Sequence, residues 1–505
     1  MLDGLVLFGR SIAGIADPLT LGIIAAASFA GIIIGALPGL TATMGLALVT
    51  TLTLKMQPNV ALLVLVCVYV GAIYGGSRSA ILLNIPGTPA NAAACLDGFA
   101  LAQKGLAGRA IGISTTGSVL GTLIGIFFLA IATPWLGEVA LRFGAYEFFW
   151  LALFGVIISG NLTGTDALKG WIAGFLGLFI ASIGQDGIHA YERFAFGNRD
   201  LAGGFQLIPA LVGAFGFAEV LTVLADRTPR PKLHEFASHL PRFADVWKYR
   251  RTIVRSGIIG TFVGVVPGVG EDVASWASYA AARRASKERG EFGKGSIEGL
   301  MAAETGDNAC VPGAIIPVLA LAVPGSAPAA VLMAAMIIHG VQPGPLIMAS
   351  NPQFVYDIVA MMLFATLGIL VFGLALVRPL LKILQIPREI IMPIVFVLCV
   401  IGSYAIAQRL FDVWTMLGFG VVGFVLRRYN YPMAPFVLGI VLGDLLDKNL
   451  RRGLVLSDGD LSPFFTRPIS AVLAALCLAT VLLNFAGIRR TLSALGSRLA
   501  VNRSR

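Results

Sequence analysis

Charge is what this sequence has least of. Only 13% of its 505 residues are Asp, Glu, Lys or Arg, about half the share of a soluble globular domain. So few charges cannot cover a water-facing surface, which excludes a soluble fold. Histidine is nearly missing as well. The four (His189, His234, His239, His339) are scattered and show no metal-ligand spacing. The five cysteines (Cys67, Cys95, Cys310, Cys399, Cys477) sit singly in apolar stretches. Without a C-x-x-C pair they suggest neither a disulfide framework nor a metal knuckle, and read as small core residues. No phosphate loop ending in Lys-Ser or Lys-Thr is present, and Gly268-x-Gly270 lacks the third glycine of a dinucleotide fingerprint. No basic residue precedes Leu5–Phe8, so residues 2–16 read as a short interfacial helix instead of a secretory signal.

What is abundant is apolar surface and glycine. Hydrophobic residues make up 57% of the chain, glycine numbers 60, and the mean hydropathy is +0.85. This composition predicts an all-α polytopic membrane protein, with roughly ten to twelve crossings at about 20 residues each. Long apolar runs fall near 19–37, 60–76, 110–133, 148–160, 168–185, 207–225, 354–377, 389–407, 411–426 and 468–487. Shorter runs near 253–266, 311–323 and 432–446 reach only about 20 Å as helix. They predict half-helices or re-entrant arms.

The net charge of +10 comes from short loops and the tail. The linker 226–255 carries eight basic residues against Asp226, Glu235 and Asp245, and the tail 489–505 has five arginines and no acid. Both are expected in the cytoplasm, facing anionic lipid and not nucleic acid. A second basic run, Arg283 to Lys294, on the same side makes 253–282 a hairpin with its tip at Pro267-Gly268-Val269-Gly270. A broken helix crossing the membrane is the alternative. The pairs Arg427-Arg428 and Arg451-Arg452 leave the orientation of 427–452 open.

The two sides of the linker echo each other. Gly31-x-x-x-Gly35-x-x-Pro38-Gly39 returns as Gly260-x-x-x-Gly264-x-x-Pro267-Gly268, at an offset of 267 − 38 = 229. Ile85-Pro86-Gly87-Thr88 returns as Val323-Pro324-Gly325-Ser326, at 324 − 86 = 238. The implied division is a first repeat (1–225), the linker (226–255), a second repeat (256–488) and the tail (489–505), with the repeats inverted in the membrane. Proline withholds an amide and glycine admits positive φ, so helices stop there. In lipid the freed backbone groups need protein, water, ions or solute as partners. Paired breaks in repeated halves mark the binding sites of many secondary transporters.

Polar residues gather at these breaks. Gly39, Thr41, Ser77, Asn84, Pro86, Gly87, Thr88, Gly268, Gly270, Asn308, Pro324, Gly325 and Ser326 read as substrate-binding, through helix N-termini and backbone N–H groups suited to a carboxylate. Asn84, Glu271, Asp272, Glu304, Asp307 and Asn308 read as a cation-coupling set for sodium or a proton. Thr88 and Ser326 also stand where N-caps would. Asn84 also suits a broken backbone, Arg78 reads as a snorkelling residue or an anion counter-charge, and Glu271 with Asp272 also suits a wet hairpin tip. Asp97 and Glu219 are read as neutralised locally. No catalytic residue and no resident cofactor are indicated. The competing functions are a passive anion channel and a membrane-embedded enzyme.

The chain also resembles the large transmembrane subunit of the tripartite tricarboxylate transporters. The likeness rests on GIIIGALPGLTATMGLAL (31–48), YGGSRSAILLNIPGTPANAAACLDGFALAQKG (74–105) and RFAFGNRDLAGGFQLIPALVGAFGFAEVL (193–221). It continues through GTFVGVVPGVGEDVASWASY (260–279), FGKGSIEGLMAAETGDNACVPGAIIPVLALAVPGS (292–326) and NLRRGLVLSDGD (449–460). The resemblance implies a secondary importer of carboxylates such as citrate in the bacterial inner membrane. It implies coupling to an ion gradient, and a small transmembrane subunit and a periplasmic solute-binding protein as partners. It also implies that the glycine-rich hairpins form a transport domain that moves like an elevator. Gly306-Asp307 departs from the family pattern, which looks more often like Ala-Asn.

Overall fold

The structure, a computed structural model, describes residues 2–164, 166–225, 243–375 and 386–484. Most of the basic linker (226–242) and the whole tail (489–505) lie outside these residues. The principal helices, in order, are α1 (Leu2–Ile15), α2 (Pro18–Ala36), α3 (Ala42–Thr53), α4 (Pro58–Leu83), α5 (Ala107–Ala140), α6 (Ala145–Leu162) and α7 (Ala167–Ala181). They continue with α8 (Leu207–Ala225), α9 (Arg250–Val265), α10 (Gly270–Ala285), α11 (Ile297–Leu321), α12 (Ala327–Ile338), α13 (Pro352–Ala375), α14 (Arg388–Ala407), α15 (Leu410–Arg428), α16 (Met433–Leu456) and α17 (Pro468–Leu482). Among the described residues, eight helices are long and apolar enough to cross a membrane, and five shorter apolar helices accompany them. The protein is an all-α, multi-pass membrane protein.

Two compact units form. One joins Met1–Leu141 to Phe205–Arg428, and the other joins Arg142–Gly204 to Tyr429–Arg505. In the second unit α16 packs on α6 and α7, and α17 on α6. A two-residue ribbon, Gly184–Gln185 against Glu192–Arg193, is fastened to α16 by Arg193–Asp447 at 3.0 Å. Arg451 bonds Asp447 at 3.1 Å and faces Asp186 at 3.7 Å. This basic residue is neutralised within its own unit, which is why counting charges along 427–452 settles nothing.

The first unit holds the repeat. Asp17 caps α2 through Leu19 and Thr20 N–H groups at 3.0 and 3.1 Å, with Pro18 in the first turn. α2 stops at Leu37 and α9 at Val266, both extended (ψ 111° and 120°) and related by the offset of 229. α4 stops at Asn84 (φ 56°) and α11 at Ala322 (φ 54°), both left-handed and related by the offset of 238. After these stops the Gly87 N–H returns to the Gly76 carbonyl at 3.2 Å, and the Gly325 N–H to the Ala314 carbonyl at 3.3 Å. The two halves therefore match in backbone geometry, break for break.

Close packing explains the glycines. A Cβ on Gly35 would strike the Ala72 carbonyl of α4, and one on Gly264 would meet the Cys310 carbonyl of α11. Side-chain-free faces let α2 lie on α4, and α9 on α11, at backbone distance. The turn after α9 folds α10 back against it, so 250–285 is a hairpin and not a broken crossing helix. Its tip is tied to the second break: Gly268 N–H donates to the Pro324 carbonyl and Gly270 N–H to the Gly325 carbonyl, both at 3.2 Å.

Candidate functional site

α11 carries the costly groups. Glu304 and Asp307 each cost roughly 2.5–3.5 kcal/mol at mid-bilayer on insertion scales, while an apolar residue returns only about 0.3–0.6. Such a helix has to be enclosed by protein, and every residue of α11 from Glu298 to Leu321 is buried. α5, α9 and α10 form its main walls, and α4 touches it at the site.

Glu304 accepts from Ser77 Oγ of α4 at 2.7 Å and Ser118 Oγ of α5 at 3.1 Å, both on Oε2. Asp307 sits between two amides: Asn91 Nδ2 reaches Oδ2 at 3.2 Å and Asn308 Nδ2 reaches Oδ1 at 2.7 Å. Asn91 also donates to Ser77 Oγ at 2.9 Å and the Ile73 carbonyl at 3.0 Å, and accepts from Thr88 Oγ1 at 2.6 Å. Asn308 Nδ2 also reaches Ser118 Oγ at 2.9 Å and the Glu304 carbonyl at 3.1 Å. Each amide thus shares two N–H groups among more than two acceptors. Among the described residues, Glu304 Oε1 and Asn308 Oδ1 are buried without a hydrogen-bond partner. Pro312, inside α11, withholds the amide that would bond the Asn308 carbonyl.

The second break has its own network. The Tyr69 hydroxyl of α4 bonds Glu271 and lies 2.8 Å from Ser326 Oγ, which donates to Glu271 Oε1 at 2.8 Å. Ser326 also caps α12 through the Ala329 N–H at 3.3 Å. Tyr69 and Asp307 are themselves related by 307 − 69 = 238. The repeat is therefore crossed: the first-half residue meets the second break, and the second-half residue reaches the first break through Asn91.

Of the residues expected from the sequence, Ser77, Thr88, Glu304, Asp307 and Asn308 join one network, and Glu271 and Ser326 the other. Pro86, Gly87, Pro324 and Gly325 shape the breaks, and Gly268 and Gly270 tie the second tip to them. Asn84 is exposed and serves as the left-handed end of α4. Asp272 is half-buried beside Gly270. Gly39 (φ 95°) and Thr41 lie apart from both networks; Thr41 caps α3 through the Met44 N–H at 3.2 Å. Gly39 faces Glu219, which pairs with Arg427 at 2.6 Å and has Arg388 nearby. Asp97 is likewise satisfied, by the N–H groups of Gly293, Gly295 and Ser296 at 2.8–2.9 Å and by Tyr279. Arg78 does not snorkel. It is 1% exposed, lies over the Tyr74 ring, and donates to Thr115 Oγ1 at 2.9 Å and the Gly373 carbonyl at 3.1 Å.

Tyr69, Asn91 and Ser118 were not expected. Asn91 had a signal, standing one turn after Thr88. Tyr69 had another, its repeat register with Asp307. Among the described residues no group of three or more His, Cys, Asp or Glu is placed to hold a metal ion. The arrangement offers mixed carboxylate, amide, hydroxyl and carbonyl oxygens, chemistry suited to a hard monovalent cation or a proton.

Comparison with known proteins follows the same lines. Residues 21–438 match the family model described as the tripartite tricarboxylate transporter TctA family. An Agrobacterium vitis protein, described as an uncharacterized 52.8 kDa protein in the TAR-I ttuC' 3' region, is 37% identical over 460 residues, 90% of each chain. A second from that organism, an uncharacterized protein in the TAR-II ttuC' 3' region, is 38% identical over 224 residues, 44% of this chain and 93% of its own. No solved structure matches the chain.

Proposed function

Since the chain belongs to the tripartite tricarboxylate transporter TctA family, we propose that it is the large membrane subunit of a secondary importer of tricarboxylates such as citrate. It works in the bacterial inner membrane with a small transmembrane subunit and a periplasmic solute-binding protein, and a Na⁺ or H⁺ gradient drives it. The observation that carries this reading is the enclosed Glu304–Asp307–Asn308 group between the two helix breaks. A buried carboxylate oxygen without a donor costs about 1–3 kcal/mol or more. Glu304 Oε1, Asn308 Oδ1 and the carbonyl freed by Pro312 supply oxygens that a Na⁺ ion or a proton would satisfy. Substrate carboxylates meet the helix N-termini that follow the breaks, at Thr88 and Ser326, while Gly87 and Gly325 hold the breaks in shape through their own N–H bonds. Cation and anion then lie close enough to favour each other's binding.

The test is reconstitution with both partners and labelled citrate uptake under separately imposed Na⁺ and pH gradients. Uptake should follow one gradient. Glu304→Gln should lower gradient-driven uptake about tenfold or more, equivalent to about 1.4 kcal/mol, while the protein still inserts. Uptake that persists after both gradients are collapsed would reject coupling. Steady ionic current in a planar bilayer would instead make the chain a channel.

A further inference from the structure

The base of the second hairpin carries chemistry that the transport site does not use. On α10, at the end far from the tip, lies an open groove of about 730 Å³ lined by Leu96, Trp276, Tyr279, Arg283, Arg284 and Arg289. Arg283 and Arg284 occupy the last turn of α10, and Arg289 follows, held by its Nε donating to the Ser286 carbonyl at 3.1 Å. Among the described residues none of the three arginines forms an ion pair with a carboxylate, and all are exposed. Seven residues earlier, about 10 Å down the helix, Trp276 is 44% exposed beside Leu96 at 42%. The groove is therefore cationic at one end and aromatic and aliphatic at the other.

We propose that this groove binds an anionic phospholipid, with its phosphate on Arg283, Arg284 and Arg289 and its glycerol and upper acyl chains on Trp276 and Leu96. A free phosphate would use only the arginines and would leave the apolar floor unexplained. The same order of chemistry recurs on the other arm of the hairpin. There Arg250, Arg251 and Arg255 stand over Val254, Ile258 and Ile259 in a groove of about 550 Å³. In the first half, the positions matching Arg250, Arg251, Arg255, Arg283, Arg284 and Arg289 at the offset of 229 are Leu21, Gly22, Ala26, Leu54, Lys55 and Val60, a single basic residue in place of six. Only one hairpin base is therefore built for phosphate, as expected if it faces the anionic leaflet.

The test compares wild-type protein with R283A/R284A/R289A, each purified in mild detergent. Binding of fluorescent phosphatidylglycerol and phosphatidylcholine is measured with and without millimolar inorganic phosphate. Wild type should prefer phosphatidylglycerol. At about fivefold per basic residue near an anionic surface, the triple variant should lose roughly 100-fold in that affinity. K287A/K294A removes like charge from the same loop but not from the groove, and should bind as wild type does. Trp276→Ala should weaken the lipid while all the charges remain, which keeps the proposal testable should the triple variant misfold. Equal binding of the two lipids by wild type would overturn it, as would a triple variant that binds like wild type. Displacement by inorganic phosphate alone would reassign the groove to a free anion.

Discussion

At the scale of single residues, the site depends on side chains that are ordinary in composition and decisive in position. Asn91 joins the first break to α11 through Asp307 and to α4 through Ser77 and Ile73. Asn91→Ala should abolish most citrate uptake in reconstituted vesicles while the amount of inserted protein stays unchanged. Tyr69→Phe takes a donor from Glu271 and a partner from Ser326. At about 1–3 kcal/mol for a buried polar group left short, its midpoint of thermal unfolding in detergent should fall measurably, and Tyr69→Trp should not restore it. Glu304, Asp307 and Asn308 were legible in the sequence because charge in an apolar run is expensive and needs a reason. Tyr69, Asn91 and Ser118 were not, because tyrosine, asparagine and serine occur in membrane helices without consequence. Only the packing of α4, α5 and the turn Pro89–Asn91 against α10 and α11 turns them into ligands of a carboxylate or its partners. Asn84, which the sequence allows as a ligand or as the end of a broken helix, stands in the structure as the left-handed end of α4.

At the scale of elements, the helix breaks were the most legible feature, because Pro-Gly leaves the backbone few choices. Helix contacts were legible only through spacing, as glycines four residues apart. Gly264→Ala should place a methyl group against the Cys310 carbonyl. Overpacking of this kind costs about 1–3 kcal/mol, and the variant should give less monodisperse protein on size-exclusion chromatography. Gly22→Ala, with open space around its Cβ position, should behave as wild type. The number and type of crossings were less legible. α11 is as long as a span but too polar to register as one, and the sequence of α9 and α10 favours a hairpin while leaving one interrupted helix as the alternative. Packing of α10 against α9 separates these pictures, and that contact has no local signature.

At the scale of the whole molecule, the sequence suggests two consecutive halves, whereas compactness groups the chain differently: each unit draws on segments from both sides of the linker. Charge patterns could not show this, since Arg193 pairs with Asp447, and Arg451 with Asp186, across more than 250 residues of sequence. All five cysteines are free, and four of them, Cys67, Cys310, Cys399 and Cys477, are buried. A polar maleimide applied to the native protein should therefore modify Cys95 alone, and unfolding in detergent should expose the other four, as intact mass would report. The crossed pairing of Tyr69 and Asp307 has a last consequence. Each copy of the duplicated motif now completes the other's broken helix, but with a phenol in one direction and a carboxylate in the other. The copies are no longer interchangeable, and pieces produced from either side of 226–242 should recover uptake only when made together.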